Sequence, residues 1–331
     1  MIRQLPRLVL ITRATPLDEF LERFGTRGQV EFFLRSQGHT LEPYQRAHDD
    51  FSSALSQVLD SIPVDQRRVR VDRNDLDRFV FAPDDIVVVV GQDGLVANVA
   101  KYLDQQLVIG VNSNPDRFDG VLCRHAPTDV AELLRSLVDG HGHVVLEHRS
   151  MARAVREDGQ ELVALNEIFV GHRTHQSARY RLSVRGQQER QSSSGLIIAT
   201  GTGATGWARS IARQRGISTL PRPEEPRLAW FVREPFPSIA TGTELDHGVI
   251  SPGEAIEISS EMGTGGVLFA DGIESDWVDF LDGHKLSVRL ATRTLHLISE
   301  FEAELEGSQF EGLRSKAAPS QPRGTWIEDA A

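Results

Sequence analysis

Three short segments of this 331-residue chain combine residue types that can act on a polar ligand. The first is Gly91-Gln92-Asp93-Gly94, a glycine-flanked aspartate placed directly after the apolar run Ile86-Val87-Val88-Val89-Val90. An aspartate at such a position can act as a general base or help organise a metal, and N–H groups at a helix start can hold phosphate oxygens. The same spacing also suits an ordinary Asp-Gly turn that caps a helix. The second is Asn166-Glu167, an amide and a carboxylate inside the hydrophobic run Ala164–Val170. Buried polar groups need partners, because leaving them unsatisfied costs up to several kcal/mol. Base edges and ribose hydroxyls would serve, as would water if the pair sits at a strand end. The third segment, Ser192 to Ser210, reads as strand, small-residue turn and helix start. Its Gly and Thr residues would let a ligand approach the backbone, and Trp207 offers an aromatic face or wall. A purely structural turn is the alternative there.

These segments need elements to position them. Arg7–Thr12, Asp85–Val90 and Leu107–Val111 read as buried strands, with another near Val69. The run Thr15–Gly38 has helical spacing, with Phe20, Leu21, Phe24, Phe32, Phe33 and Leu34 as its apolar positions and a break near Gly25 and Gly28. Further helices are expected over Tyr44–Leu59 and Leu95–Leu103. Strands alternating with helices indicate an α/β first domain, residues 1–130, and place Asp93 at the strand edge where open α/β sheets bind ligands. From about His143 the rhythm changes. Strands are expected near 143–149, 161–170, 178–185, 195–200, 227–234, 254–260, 266–270 and 285–290, with turn signals such as Asp158-Gly159 between them. One helix, about Ala204 to Gln214, interrupts them. A mainly antiparallel β domain, residues 140–298, follows from this pattern, with the boundary within 126–142. An acidic tail, 299–331, is expected to carry a helix returning to the first domain and to be disordered from Pro319.

Composition narrows the partners. With 40% hydrophobic and 25% charged residues the chain can bury a sizeable core. A net charge of −11 argues against broad binding to nucleic acid or anionic membrane, while leaving an anionic nucleotide open to a few local arginines and Mg²⁺. No segment has the length and apolarity of a membrane span, and the first residues are too few for a transit peptide, so a cytoplasmic location is expected. The one cysteine, Cys123, reads as a buried, inert thiol. His141, His143 and His148, or His172 and His175, lack a completing carboxylate or cysteine and read as solvent-facing, so no metal site built from protein side chains is assigned. Arg209, Arg213 and Arg215 read as a solvated helix face or as phosphate contacts. Ser192-Ser193-Ser194 lacks a histidine–acid pair and reads as a strand entry rather than a nucleophile.

Taken together and in order, the three segments resemble the motifs of the NAD kinase family. Gly91-Gln92-Asp93-Gly94 is similar to its Gly-Gly-Asp-Gly, Asn166-Glu167 to its Asn-Glu/Asp, and Thr200–Trp207 to its Thr-Pro-Thr-Gly-Ser-Thr-Ala-Tyr. Val108–Arg117, Thr200-Gly201-Thr202-Gly203 and Arg233-Glu234-Pro235 look more closely like the mitochondrial branch. The resemblance covers residues 7–298. It implies an amino-terminal Rossmann-like α/β domain, a carboxyl-terminal β domain and a homodimer. The implied reaction is phosphorylation of the adenosine ribose 2′-hydroxyl of NAD by ATP with Mg²⁺. It carries catalysis to Asp93 and nucleotide contacts to Gly91, Gln92, Gly94, Asn166, Glu167, Thr202, Thr205, Gly206, Trp207 and Ser210. Val267–Gly272 resembles a family strand-turn, in which Asp271 reads as structural in preference to catalytic. Gln92 replaces a motif glycine, Trp207 a tyrosine, and Ser194 an aspartate of many bacterial members. A kinase of the same scaffold acting on another small alcohol, and a non-catalytic NAD(P)-binding regulator, are the alternatives.

Overall fold

The computed structural model describes residues 5–139 and 143–302. In chain order the first elements are β1 (Leu8–Thr12), α1 (Pro16–Phe24), α2 (Arg27–Ser36), α3 (Glu42–Ser61), β2 (Arg68–Asp72), β3 (Ile86–Gly91), α4 (Asp93–Ala100), β4 (Leu107–Asn112) and α5 (Val130–Asp139). Then come β5 (His143–Arg156), β6 (Glu161–Ala164), β7 (Glu167–His172), β8 (Ala178–Val184), β9 (Gln187–Ser193), β10 (Leu196–Ala199) and α6 (Trp207–Gln214). The last are β11 (Leu228–Val232), β12 (His247–Ile250), β13 (Ile256–Ser260), β14 (Gly266–Ala270), β15 (Val278–Asp279) and β16 (Lys285–Glu302).

β1 lies between β2 and β3, and β3 pairs with β4, all in parallel. Every residue of β3 is buried. Val87 and Val89 pack with α4, whereas Ile86, Val88 and Val90 pack with α3 and α5. A strand covered on both faces reads as a continuous apolar run, which is why this one is plain in the sequence. The entry to α1 is fixed by a capping box. The Thr15 hydroxyl accepts from the Asp18 N–H (3.3 Å), and the Asp18 carboxylate accepts from the Thr15 N–H (2.8 Å). Gly25, at φ 76°, ends α1 and makes the expected break before α2.

The parallel strands continue into antiparallel ones through β16, which spans 18 residues. Its first part pairs with β13 and with the end of β5; its later part pairs with the start of β5 and, at His296 and Leu297, runs parallel to β4. Among the described residues the resulting sheet is ten-stranded, and a separate antiparallel sheet has the order β12-β11-β10-β7-β14-β15. The α/β-plus-β architecture is therefore the one expected. Leu182, Ile256 and Val288 of the first sheet pack against Ile168, Ile198 and Trp230 of the second.

Several expectations are corrected. The 161–170 run is two strands, broken at Leu165-Asn166. β9 and β12 were not expected, nor was α5, which occupies most of the presumed boundary. Phe32 is 74% exposed, on the outward side of α2. Residues 299–302 continue β16, and the rest of the tail, 303–331, in which a helix and disorder from Pro319 are expected, lies outside the described residues, as do His141 and Gly142. No helix among the described residues is long and apolar enough to cross a membrane.

Candidate active site

Parallel strands bring their carboxyl ends to one edge. The residues that follow them there are Arg13 after β1, Arg73 after β2, Gln92 after β3 and Ser113 after β4. All four line a cleft of about 550 Å³, together with Thr15, Gly91, Gly94, Asn98, Asn114, Arg117 and Asp271-Gly272-Ile273. Another hollow, about 600 Å³ under His125 and Phe301, shares no residue with the motif segments. Gln92 takes φ −118° and ψ 164°, an ordinary extended conformation that any residue adopts. Nothing lies within 4 Å of where a Cβ on Gly94 would be, so the first turn of α4 is open to a ligand.

Asp93 opens α4 between two residues of the cleft wall, Gln92 and Gly94. Its carboxylate accepts three backbone N–H groups, from Val121 (2.9 Å), Leu122 (2.8 Å) and Cys123 (2.8 Å). A carboxylate offers about four lone-pair positions, so roughly one remains free. Cys123 is buried, and burial, with Asp93 beside it, pushes its thiol far above the ordinary range, so it is inert as expected.

The second and third motifs meet at a junction of three strand ends. The Thr200 N–H donates to the Asn166 carbonyl (2.9 Å) and the Thr200 hydroxyl to the Leu165 carbonyl (2.5 Å). That hydroxyl also accepts from the N–H groups of Thr202 and Gly203, each at 3.1 Å. From the end of β14, the Asp271 carboxylate accepts the N–H groups of Leu165 (3.1 Å) and Asn166 (2.6 Å), and the Asp271 N–H donates to the Glu167 carbonyl (2.9 Å). Asp271 sits at φ 53°, a conformation that short polar side chains tolerate best. Burial raises its carboxyl to about 6 despite those N–H groups, and burial plus the Asp271 charge raises Glu167 to about 7. Asp271 is thus both the tie that shapes the Asn166-Glu167 turn and part of the cleft wall.

The glycines of the third motif serve the chain itself more than a ligand. A Cβ on Gly201 would strike the Arg222 backbone, and one on Gly203 the Asn166 backbone. Thr200 and Thr202 are buried. Beyond them Thr205, Gly206 and Ser210 are exposed, on the outer side of the second sheet. Trp207 stacks there on Phe169 (5.9 Å, 12° between planes), with the Arg233 guanidinium 5.0 Å over its ring. The motif residues therefore fall into a cleft group, Gly91, Gln92 and Gly94, and an outer group from Thr205 to Ser210. The Asn166–Thr200–Asp271 junction lies between them in the bonding scheme.

Arg13, Arg73 and Arg117 were not singled out by sequence reasoning, although the strand-edge rule points to the first two. Of the discounted arginines, Arg215 is structural, its Nη1 donating to the Asp246 carbonyl (3.0 Å). Arg209 and Arg213 are exposed.

No family model matches the chain. Curated relatives do. The rat protein named mitochondrial NAD kinase 2 is 24% identical over 70% of this chain and 73% of its own length. Among solved structures, an Archaeoglobus fulgidus NAD kinase in complex with ATP aligns with a TM-score of 0.55 at 19% identity, covering 88% of this chain and 93% of the other. Yeast NADH kinase in complex with NADH aligns with a TM-score of 0.54 at 14% identity, covering 90% and 84%. The chain is related to the NAD kinases in sequence and has their fold.

Proposed function

We propose that this relative of the NAD kinases is itself one, transferring the γ-phosphoryl group of ATP to the adenosine ribose 2′-hydroxyl of NAD. The observation that carries the reading is the cleft at the carboxyl edge of β1–β4, walled on one side by Gly91-Gln92 and on the other by Asp271, which holds the Asn166-Glu167 turn. Arg13, Arg73 and Arg117 supply positive charge for phosphates, and the open first turn of α4 supplies N–H donors. Gln92 extends its amide as a further donor. The first 130 residues form the donor half of the site, and residues 140–298 supply acceptor contacts through Asn166 and Glu167. In the reaction the 2′-oxygen bonds to the γ-phosphorus, the bridge to the β-phosphate breaks, ADP leaves, and the hydroxyl proton passes to a carboxylate. We assign that acceptance to Asp93, whose three backbone bonds fix its position and leave one lone pair for the hydroxyl.

Among the described residues no group of three or more His, Cys, Asp or Glu is placed to hold a metal ion. This donor set fits a magnesium ion carried on nucleotide phosphates, which needs only one or two protein carboxylates. Asp271 is the carboxylate on the cleft wall for it. Bound there, the ion neutralises charge on the transferred phosphate. We also propose a homodimer that covers the exposed Phe236 and Ile239, and a cytoplasmic location, in keeping with the lone reduced thiol.

A second reading, dinucleotide binding without turnover, is favoured by the three backbone N–H groups that already engage the Asp93 carboxylate. Incubating the purified protein with ATP, Mg²⁺ and NAD and assaying NADP separates the two. NADP formation supports the kinase, and calorimetric NAD binding with no NADP supports the regulator. Turnover of a different alcohol with NAD inert would sink both.

A further inference from the structure

Arg149, on β5, is the one buried arginine among the described residues, at 1% exposure. A buried guanidinium needs partners on every side, since one left unpaired costs several kcal/mol. Its Nε donates to the Glu147 carboxylate (2.9 Å), and its Nη2 lies 2.6 Å from the same oxygen. The two residues are neighbours on one face of β5, being two apart. The other oxygen of Glu147 accepts from Arg124 Nη1 (2.8 Å). Arg124 ends the loop whose N–H groups grip Asp93, and its Nε donates to the Val121 carbonyl within that loop (3.0 Å). On its far side, Arg149 Nη1 donates to the Thr202 hydroxyl at 3.4 Å. Burial alone would raise the Glu147 carboxyl; the two guanidiniums hold it below its ordinary value instead, so the group stays charged.

We propose that Arg149 is a positioning residue. With Glu147 and Arg124 it straps the loop that fixes Asp93 to the Thr200–Gly203 turn, so that the first and third motifs hold a set separation. Nothing else in the bonding scheme of the described residues joins these two loops so directly, and an ion triad built on one buried guanidinium is a weak source of stability but a directional one. The functional part of this inference rests on the kinase reading; the strap itself does not.

The test uses the full chain carrying Arg149→Met, Arg149→Lys or Glu147→Gln. Backbone amide exchange is followed in segments 119–124 and 200–206, and kcat and KM are measured for NAD and ATP. Arg149→Met is expected to speed exchange in both segments. It should lower kcat by about 10²-fold, the effect of a misplacement near 1 Å, with both KM values nearly unchanged. Arg149→Lys keeps the charge without the planar fork, and should recover part of the protection and part of the turnover. Faster exchange confined to 200–206, or unchanged kcat in a folded Met variant, overturns the proposal. Should Arg149→Met not fold, the near-isosteric Glu147→Gln decides by the same readings. A parent protein that makes no NADP, with variants that lose protection in both segments, would sink the kinase reading and uphold the strap.

Discussion

At the edge where β1, β2, β3 and β4 end, the chain leaves several polar groups uncommitted. Arg73 and Arg117 line the cleft with no ion-pair partner among the described residues, and Gln92 caps α4 without a side-chain cap bond. At the junction of Asn166, Thr200 and Asp271 the reverse holds. One hydroxyl makes three hydrogen bonds, one carboxylate takes two N–H groups, and the glycine spaces are filled by neighbouring backbone. Both regions contain motif residues. The comparison teaches that a motif can mark the frame of a site as readily as its ligand contacts, and that spare donors are the better pointer to where a ligand goes. Asp93 belongs to both kinds, being engaged by the frame yet assigned to the chemistry.

The largest effect that would sharpen this contrast is on Asp93. Asp93→Asn keeps the shape but loses the basic oxygen, and turnover should fall about 10²–10⁴-fold while NAD binding, read by calorimetry, persists. Near-parental turnover would move Asp93 wholly into the frame.

Next come two glycines tested against each other. Gly203→Ala forces a methyl group into the Asn166 backbone and should destabilise by about 3 kcal/mol, as overpacking does. Gly94→Ala fills open space in a helix, where alanine is favoured by about 1 kcal/mol; its melting temperature should hold or rise while KM for ATP increases. Equal stability losses in the two variants would erase the distinction between frame and cleft.

Another effect concerns pH. Asp271 and Glu167 have folded-state carboxyls raised to about 6 and about 7, above their unfolded values, so the native state binds more protons between those limits. Stability contributed by this pair is then present at low pH and lost as pH rises through 6 to 7, by about 4 kcal/mol between pH 5 and 7.5. Denaturant titrations at pH 5 and pH 7.5 measure the loss, and Asp271→Asn should flatten it. An unchanged slope in that variant would place the titration elsewhere.

The smallest expected change is at Gln92. With an ordinary φ the position has no need of glycine, so Gln92→Gly should leave the fold intact and raise KM for ATP a few-fold by removing one donor. A change confined to NAD would detach Gln92 from the phosphate end of the cleft.

How much of this was legible follows from where each signal resides. β3 announces itself because both its faces are buried. β9 (Gln187–Ser193) and β12 (His247–Ile250) are edge strands with polar or half-buried faces, and their short patterns lack the apolar alternation that marks a strand. α5 carried a usable signal in Val130, Leu133, Leu134 and Leu137, spaced as one helical face, but it fell in a stretch read as a boundary. The Leu165-Asn166 break was hidden for a different reason. It is made by a carboxylate about a hundred residues away in sequence, and no local pattern reports a partner so distant. The strap through Arg149 is invisible for the same reason.

The long strand β16 has a consequence for anyone who would divide the molecule. Because β4 finds its outer neighbour in His296-Leu297, a fragment ending near residue 139 would be expressed with that flank of its parallel sheet bare. A bare flank of Val and Ile is a template for other chains, so the isolated front half should self-associate, whereas co-expression with the back half should restore a soluble complex by strand complementation. Split-reporter fusions, domain grafts and truncation libraries of this protein are therefore best cut at exposed turns such as Asp158-Gly159, with β16 left to close the sheet from the carboxyl side.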